Sequence, residues 1–309
     1  MSTDQHSTPT RNIILFGEVL ADIFPDGPVM GGAPFNVGYH LQAFGLHPVL
    51  VTRTGNDPLR QKLIKLMNNA GMPTIGVQCD SHYPTGQVQV KPGENGHEFE
   101  ILADQAYDFI DPHVAGDTAS TAKPELVYFG TLAQRNPVSG VALEEVLRRT
   151  PQASRLLDIN LREPWYRPET IQYSLTQADH VKVNEDELAE LSGLLAFQTS
   201  DARDTALRLI ENFQLKNLLV TRGANGAWLL DQANNYTEIL GIANVPIVDT
   251  VGAGDGFCAV FILGLLFDWP NVLTLERANQ FAAALCGIRG ATPELAGFYD
   301  VFLKNWNLL

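Results

Sequence analysis

From Glu125 onward the chain alternates short apolar runs with amphipathic stretches, and this constrains its fold more than any other feature. Leu126 to Phe129, Arg155 to Ile159, His180 to Val183, Asn217 to Val220 and Ala227 to Leu230 read as strands. Val141 to Arg149, Glu185 to Leu191 and Ala202 to Phe213 read as helices between them. Such alternation demands a mostly parallel sheet covered by helices on both faces. Ligands of such sheets bind at the carboxyl ends of the strands.

The N-terminal half adds two further strands, Asn12 to Phe16 and Val49 to Thr52, and a helix from Leu59 to Ala70 that Gly71 stops. Between Thr85 and Ile101 the pattern changes. Gln87 to Val90 and Glu98 to Ile101 alternate polar with apolar around a turn at Lys91 to Gly96, which predicts a hairpin with one polar face. The chain closes with helices predicted over Leu275 to Cys286 and Ala296 to Leu303. With 309 residues, 45% of them hydrophobic, the core suffices for one large domain over 11–309, preceded by a flexible tail over 1–10.

A net charge of −14 argues against nucleic acid and anionic membrane as partners. The polar start lacks the build of a signal peptide. The longest apolar run, Phe257 to Phe267, is too short to cross a bilayer. Cys79, Cys258 and Cys286 are odd in number and far apart, so they read as small core residues of a protein kept reduced, in the cytoplasm.

Two glycine-rich segments carry the chemistry. Near the C-terminus, Asp249-Thr250-Val251-Gly252-Ala253-Gly254-Asp255-Gly256 lies between a β-branched run, Val245 to Val248, and the long apolar run. That order predicts strand, glycine turn, helix. Free N–H groups opening a helix make an anion site, and glycine lets the anion approach. Asp255 there makes chemical sense if the anion is a phosphoryl group and the carboxylate takes a proton from its acceptor. The second segment, Gly31-Gly32-Ala33-Pro34-Phe35-Asn36-Val37-Gly38, predicts a close turn and a helix from Asn36 to Phe44, ended by Gly45.

Together these segments resemble the ribokinase-like (PfkB) carbohydrate kinases, over nearly the whole chain from Asn12 to the end. Gly17-Glu18 followed by Asp22 resembles that family's first substrate loop. Asp158-Ile159-Asn160-Leu161-Arg162 is similar to a segment of fructokinase-type members, Asn184-x-x-Glu187 to the family's Asn-x-x-Glu element, and Thr221 to Gly226 to its nucleotide loop. The resemblance implies a three-layer α/β/α fold with a mostly parallel sheet and a small β lid, its strands within about 17–30 and 84–103. It implies ATP-dependent phosphorylation of a sugar hydroxyl, with fructose first among the sugars.

The same resemblance implies the site. Asp255 is the expected general base, with the N–H groups of Gly252, Ala253, Gly254 and Asp255 holding the phosphoryl oxygens. Asp22, Gly32, Asn36, Asn160 and Arg162 are expected at the sugar. Asn184, Thr221, Gly223, Gly226 and Asn279 are expected around ATP. Glu187 is expected on Mg2+ through water, although it stands in an acidic run, Glu185-Asp186-Glu187, that a solvated helix face would also explain. Asp249 and Thr250 offer oxygens to K+, while Arg289 makes the companion segment Gly287 to Thr292 unlike the family's. Arg162 has an ordinary alternative in an ion pair with Glu163. A homodimer through the lid edge is the expected assembly.

No zinc-type histidine spacing, P-loop or nucleophile elbow is present. Three alternatives stand beside fructose phosphorylation. One is 2-keto-3-deoxygluconate, whose acid group Arg162 would meet. Another is a nucleoside, walled by Phe99 or Tyr107. The third is a catalytically silent sugar-binding regulator.

Overall fold

The computed structural model describes residues 11–93, 96–293 and 297–308, with the backbone alone over 91–93 and 96–99. The tail 1–10, the tip of the hairpin and Ala296 lie outside them. Among these residues the strands are β1 (Asn12–Phe16), β2 (Leu20–Phe24), β3 (Gly27–Gly31), β4 (His47–Gly55), β5 (Val77–Asp80), β6 (Gly86–Gly93), β7 (Gly96–Ile101), β8 (Leu126–Gly130), β9 (Ser154–Asp158), β10 (His180–Asn184), β11 (Asn217–Thr221), β12 (Ala227–Asp231) and β13 (Tyr236–Ile239). The helices are α1 (Ala33–Ala43), α2 (Pro58–Asn69), α3 (Pro112–Ala122), α4 (Pro137–Arg149), α5 (Pro168–Gln177), α6 (Glu185–Leu194), α7 (Ala202–Phe213), α8 (Ala253–Leu266), α9 (Asn271–Cys286) and α10 (Asp300–Asn305).

Nine strands form one sheet in the order β13-β12-β11-β10-β9-β8-β1-β4-β5. The run from β11 to β5 is parallel, and β12 and β13 add an antiparallel edge. The central strand β1 shows why the apolar runs are continuous. Ile13 and Leu15 pack into one core with Leu41, Phe261 and Phe281, and Ile14 and Phe16 pack into another with Val127, Leu143 and Leu209. Successive side chains point to opposite faces, so a strand covered on both sides needs apolar residues at every position. The result is a three-layer α/β/α sandwich. A separate four-stranded sheet, β3-β2-β6-β7, springs from the carboxyl end of β1. Its hairpin pairs Val88 with Ile101 and Gly93 with Gly96.

The structure departs from the sequence reading at several places. Val245 to Val248 is irregular rather than a strand, and Ile247 and Val248 are exposed. The Val248 and Asp249 N–H groups donate instead to the Cys286 carbonyl at the end of α9. Helix α1 begins at Ala33, not Asn36, because Pro34 sits comfortably in a first turn where no N–H donor is needed. Helix α10 runs later than predicted, over Asp300–Asn305. Cys258 is buried and Cys286 half-buried, but Cys79 is exposed rather than in the core.

Candidate active site

The two glycine segments meet. Asn36 Nδ2 donates to Asp255 Oδ2 at 2.8 Å, across 219 positions of sequence. Local structure sets up this contact. Gly32 caps α1 with φ of 108°, and a Cβ there would lie 2.7 Å from the Glu18 carbonyl oxygen. Only glycine can hold that backbone conformation against the loop after β1. The first turn of α1 then carries Asn36, 4% exposed, to the start of α8.

The start of α8 is an anion site in shape. Gly252 caps it in the left-handed region, φ 79°, with the space beside it filled by Ala291. The Asp249 carboxylate fastens the loop, accepting from the N–H groups of Val251 and Gly290 at 3.0 Å each. Ala253 N–H already donates to the Thr250 carbonyl at 3.3 Å, so it is less available than expected. The N–H groups of Gly252, Gly254 and Asp255 have no acceptor among the described residues. Gly254 is different from its neighbour: nothing lies within 4 Å of a Cβ placed on it. Packing does not require a glycine there, whereas close approach of a ligand would.

Carboxylates dominate the surroundings. Burial pushes Asp255 up from 3.8 to about 6, against the opposing pull of Asn36. Glu18, 4% exposed, is pushed up to about 7 by burial, eased by its own backbone N–H and by Arg162 and aggravated by Asp255 and Asp158. Asp22, on β2, is raised to about 6 by burial, against Arg162. Arg162 is thus the cation that faces all three. It does not pair with Glu163, which lies instead against Tyr166. Beneath them Lys182 Nζ donates to Asp158 Oδ1 at 2.8 Å, and Tyr128 donates to the other oxygen at 3.1 Å. Burial opposes the Lys182 charge, but Asp158 outweighs it and holds the ammonium above its ordinary range.

Of the remaining predicted residues, Asn160, Asn184, Glu187, Thr221, Gly223 and Gly226 lie at or after the carboxyl ends of β9, β10 and β11, and Asn279 lies on α9. Asn160 follows β9 with φ of 42°. Asn184 and Glu187 form a reciprocal capping box at the start of α6, with two bonds of 2.8 Å. Glu187 also accepts from Leu161 N–H at 3.0 Å. It is therefore buried, not a surface acid, and it ties the Asn160 to Arg162 loop to α6. Its carboxyl is raised by burial, with Lys182 opposing. Thr221 ends β11, and Gly226 packs too tightly on Ile239 to Gly241 for any side chain, while Gly223 faces open space. Asn279 donates to the Leu240 carbonyl at 3.0 Å, bracing the loop between β13 and α8. Tyr107 is fully buried beneath Arg135 and cannot wall a pocket. Phe99 falls among residues whose side chains are not described. A polar depression of about 550 Å³, lined by Ser154, Arg155, Asp179 and Lys216, lies at the opposite, amino ends of the strands and holds none of these groups.

The sequence model described as "pfkB family carbohydrate kinase" matches residues 26–296. The chain belongs to the pfkB carbohydrate kinases. This kinase is 28% identical over 301 residues to a fructokinase of Klebsiella pneumoniae, covering 91% of this chain and 94% of that one. Its fold matches that of a fructokinase with bound ATP from Xylella fastidiosa, with a TM-score of 0.82, 21% identity and coverage of 96% and 99%. It also matches a double-mutant fructokinase of Vibrio cholerae in a form with fructose, ADP and a potassium ion, with a TM-score of 0.76, 24% identity and coverage of 94% and 98%. The kinase is accordingly a phosphotransferase with an alcohol group of a sugar as acceptor. Among its described residues no helix is long and apolar enough to cross a membrane.

Three groups of this site were not picked out from sequence as working parts. Glu18 was visible only as one letter of a motif. Lys182 and the carboxylate of Asp158 look like strand ends until the register of β9 with β10 pairs them.

Proposed function

We propose that this kinase transfers the terminal phosphoryl group of ATP to a hydroxyl of fructose, with Asp255 as general base. The observation that carries the reading is the Asn36–Asp255 hydrogen bond, which aims the base from the segment expected to hold the sugar. Asp255 takes the hydroxyl proton as the oxygen bonds to phosphorus and ADP leaves. The free N–H groups of Gly252, Gly254 and Asp255 stabilise charge on the moving phosphoryl group. Asp22, Asn36, Asn160 and the Gly32 turn bind sugar hydroxyls, and Arg162 balances the carboxylates around them. Asn184, Thr221, Gly223 and Gly226 border the nucleotide, and Asn279 shapes its loop. The second sheet acts as a lid that excludes water, the competing acceptor.

Mg2+ neutralises phosphate charge when bound. Glu187 has lone pairs left for its waters, and an ion that keeps most of its waters needs no dedicated protein cage. Among the described residues no group of three or more His, Cys, Asp or Glu forms such a cage. Asp249 and Thr250 supply oxygens for K+. The kinase works as a cytoplasmic enzyme, and a second copy pairs at the lid edge.

Fructose is favoured over an acid sugar because Glu18, Asp22 and Asp255 surround the facing cation. A substrate carboxylate would meet three acid groups already drawn to that cation. An ADP-release screen over fructose, ribose, 2-keto-3-deoxygluconate and adenosine tests this. Fructose is expected to give the highest kcat/KM. A higher value for 2-keto-3-deoxygluconate would replace the substrate, and sugar binding without ADP from any sugar would establish a silent regulator.

The pH profile follows from the same group. A base works deprotonated, so kcat/KM, which reports the free enzyme, is expected to fall as pH drops through about 6, the position of Asp255. A flat profile from pH 8 to 5 would remove Asp255 from that role.

A further inference from the structure

Glu18 stands just past the carboxyl end of the central strand, and so far it has entered only as one of the acids facing Arg162. It is 4% exposed, and its Oε2 has no hydrogen-bond partner. A buried acceptor left without a donor is costly, and native proteins rarely leave one so without reason. Its backbone oxygen lies against Gly32, the cap of the helix that carries Asn36. Asn36 Oδ1 is likewise buried and unpartnered, while its Nδ2 holds Asp255. Two orphaned acceptors therefore lie beside the proposed base.

We propose that Glu18 is a further sugar-binding residue, its Oε2 accepting a hydrogen bond from a hydroxyl of the bound substrate. A sugar brings several O–H donors, which is the chemistry these acceptors lack. The inference rests on the sugar-kinase reading of the same site and adds a specificity-determining contact to it. The charged and titratable groups that act on Glu18 are Asp255 of α8, Asp158 of β9, Tyr128 of β8, Arg162, Tyr107 and Arg135. Arg162 favours its charge, while Asp255 and Asp158 oppose it. A carboxylate accepts a hydroxyl more strongly than the protonated acid does, so a bound sugar favours loss of the proton from Glu18. Sugar affinity then rises with pH through about 7, where the free enzyme holds that proton.

The test compares wild type with Glu18→Gln, using fructose or whichever sugar the wild type turns over best. A wild type inactive toward every sugar would count against the function, before Glu18 enters the comparison. Glu18→Gln is expected to raise the sugar dissociation constant about tenfold or more, leave the ATP KM within about twofold, and lose the rise near pH 7. A series of singly deoxygenated sugars provides a second measurement on unaltered protein. One deoxy sugar is expected to bind wild type about tenfold more weakly, lose the pH dependence, and bind Glu18→Gln no worse than the parent sugar does. If Glu18 only braced Tyr107 and Arg135, the variant would melt earlier with its sugar affinity and pH dependence unchanged. That result, or a deoxy series whose losses add fully to that of Glu18→Gln, would overturn the proposal.

Discussion

Asp255→Asn is expected to lower kcat by about a thousandfold while sugar affinity changes no more than about threefold. The amide oxygen introduced at 255 still accepts from Asn36 Nδ2, so the geometry of the α1–α8 contact survives. The amide cannot take a proton, so the chemical step alone suffers. Stability provides an internal control. Burial raises the carboxyl from 3.8 to about 6, so ionising it costs the folded state more than the unfolded one as pH rises between these values. Above about pH 6 that cost is fully present, and an uncharged amide removes it. The variant should therefore melt at the same temperature as wild type or higher at pH 7.5. Calorimetry beside single-turnover kinetics checks both. Turnover within tenfold of wild type would sink the general-base assignment, and an earlier melt with lost activity would point to a structural role instead.

Lys182→Met is expected to have the largest effect on stability. Lys182 and Asp158 are buried together, 7% and 1% exposed, and joined at 2.8 Å. Removing one partner strands the other charge in the core beneath the site, which costs about 3–5 kcal/mol. For a chain of this size that corresponds to a fall in Tm on the order of 10 °C. The pair need not stabilise the fold relative to an apolar alternative. Adding Asp158→Asn to Lys182→Met should accordingly recover part of the loss, because the stranded charge is gone. Thermal unfolding of the two single variants and the double checks this. Full additivity of the losses would show that the two groups are not energetically coupled.

Much of this was readable in the sequence because it rests on local rules. The parallel sheet follows from strands apolar at every position, which only two-sided burial explains. The start of α8 follows from glycines placed before an acid and a long apolar run. The contacts that make the site work are of another kind. Asn36 finds Asp255 only because α1 and α8 pack side by side, a tertiary fact that no spacing encodes. Lys182 finds Asp158 through strand register, and the burial of Glu18 depends on the Gly32 turn folding over it. Val245 to Val248 misled for the same reason. A β-branched run suits a strand, but here the segment bonds to the end of α9 instead. Glu187 looked like one acid among three on a solvated face, yet its capping box turns it inward.

That Asn36 and Asp255 act as one unit is the centre of this account, and a double-mutant cycle on kcat tests it most directly. Asn36→Ala alone is expected to lower kcat about tenfold or more. Combined with Asp255→Asn it should lower kcat little further than Asp255→Asn does alone, because the base it aims is already gone. Losses that multiply in the double variant would contradict the account, since the two ends of the chain would then contribute to turnover independently.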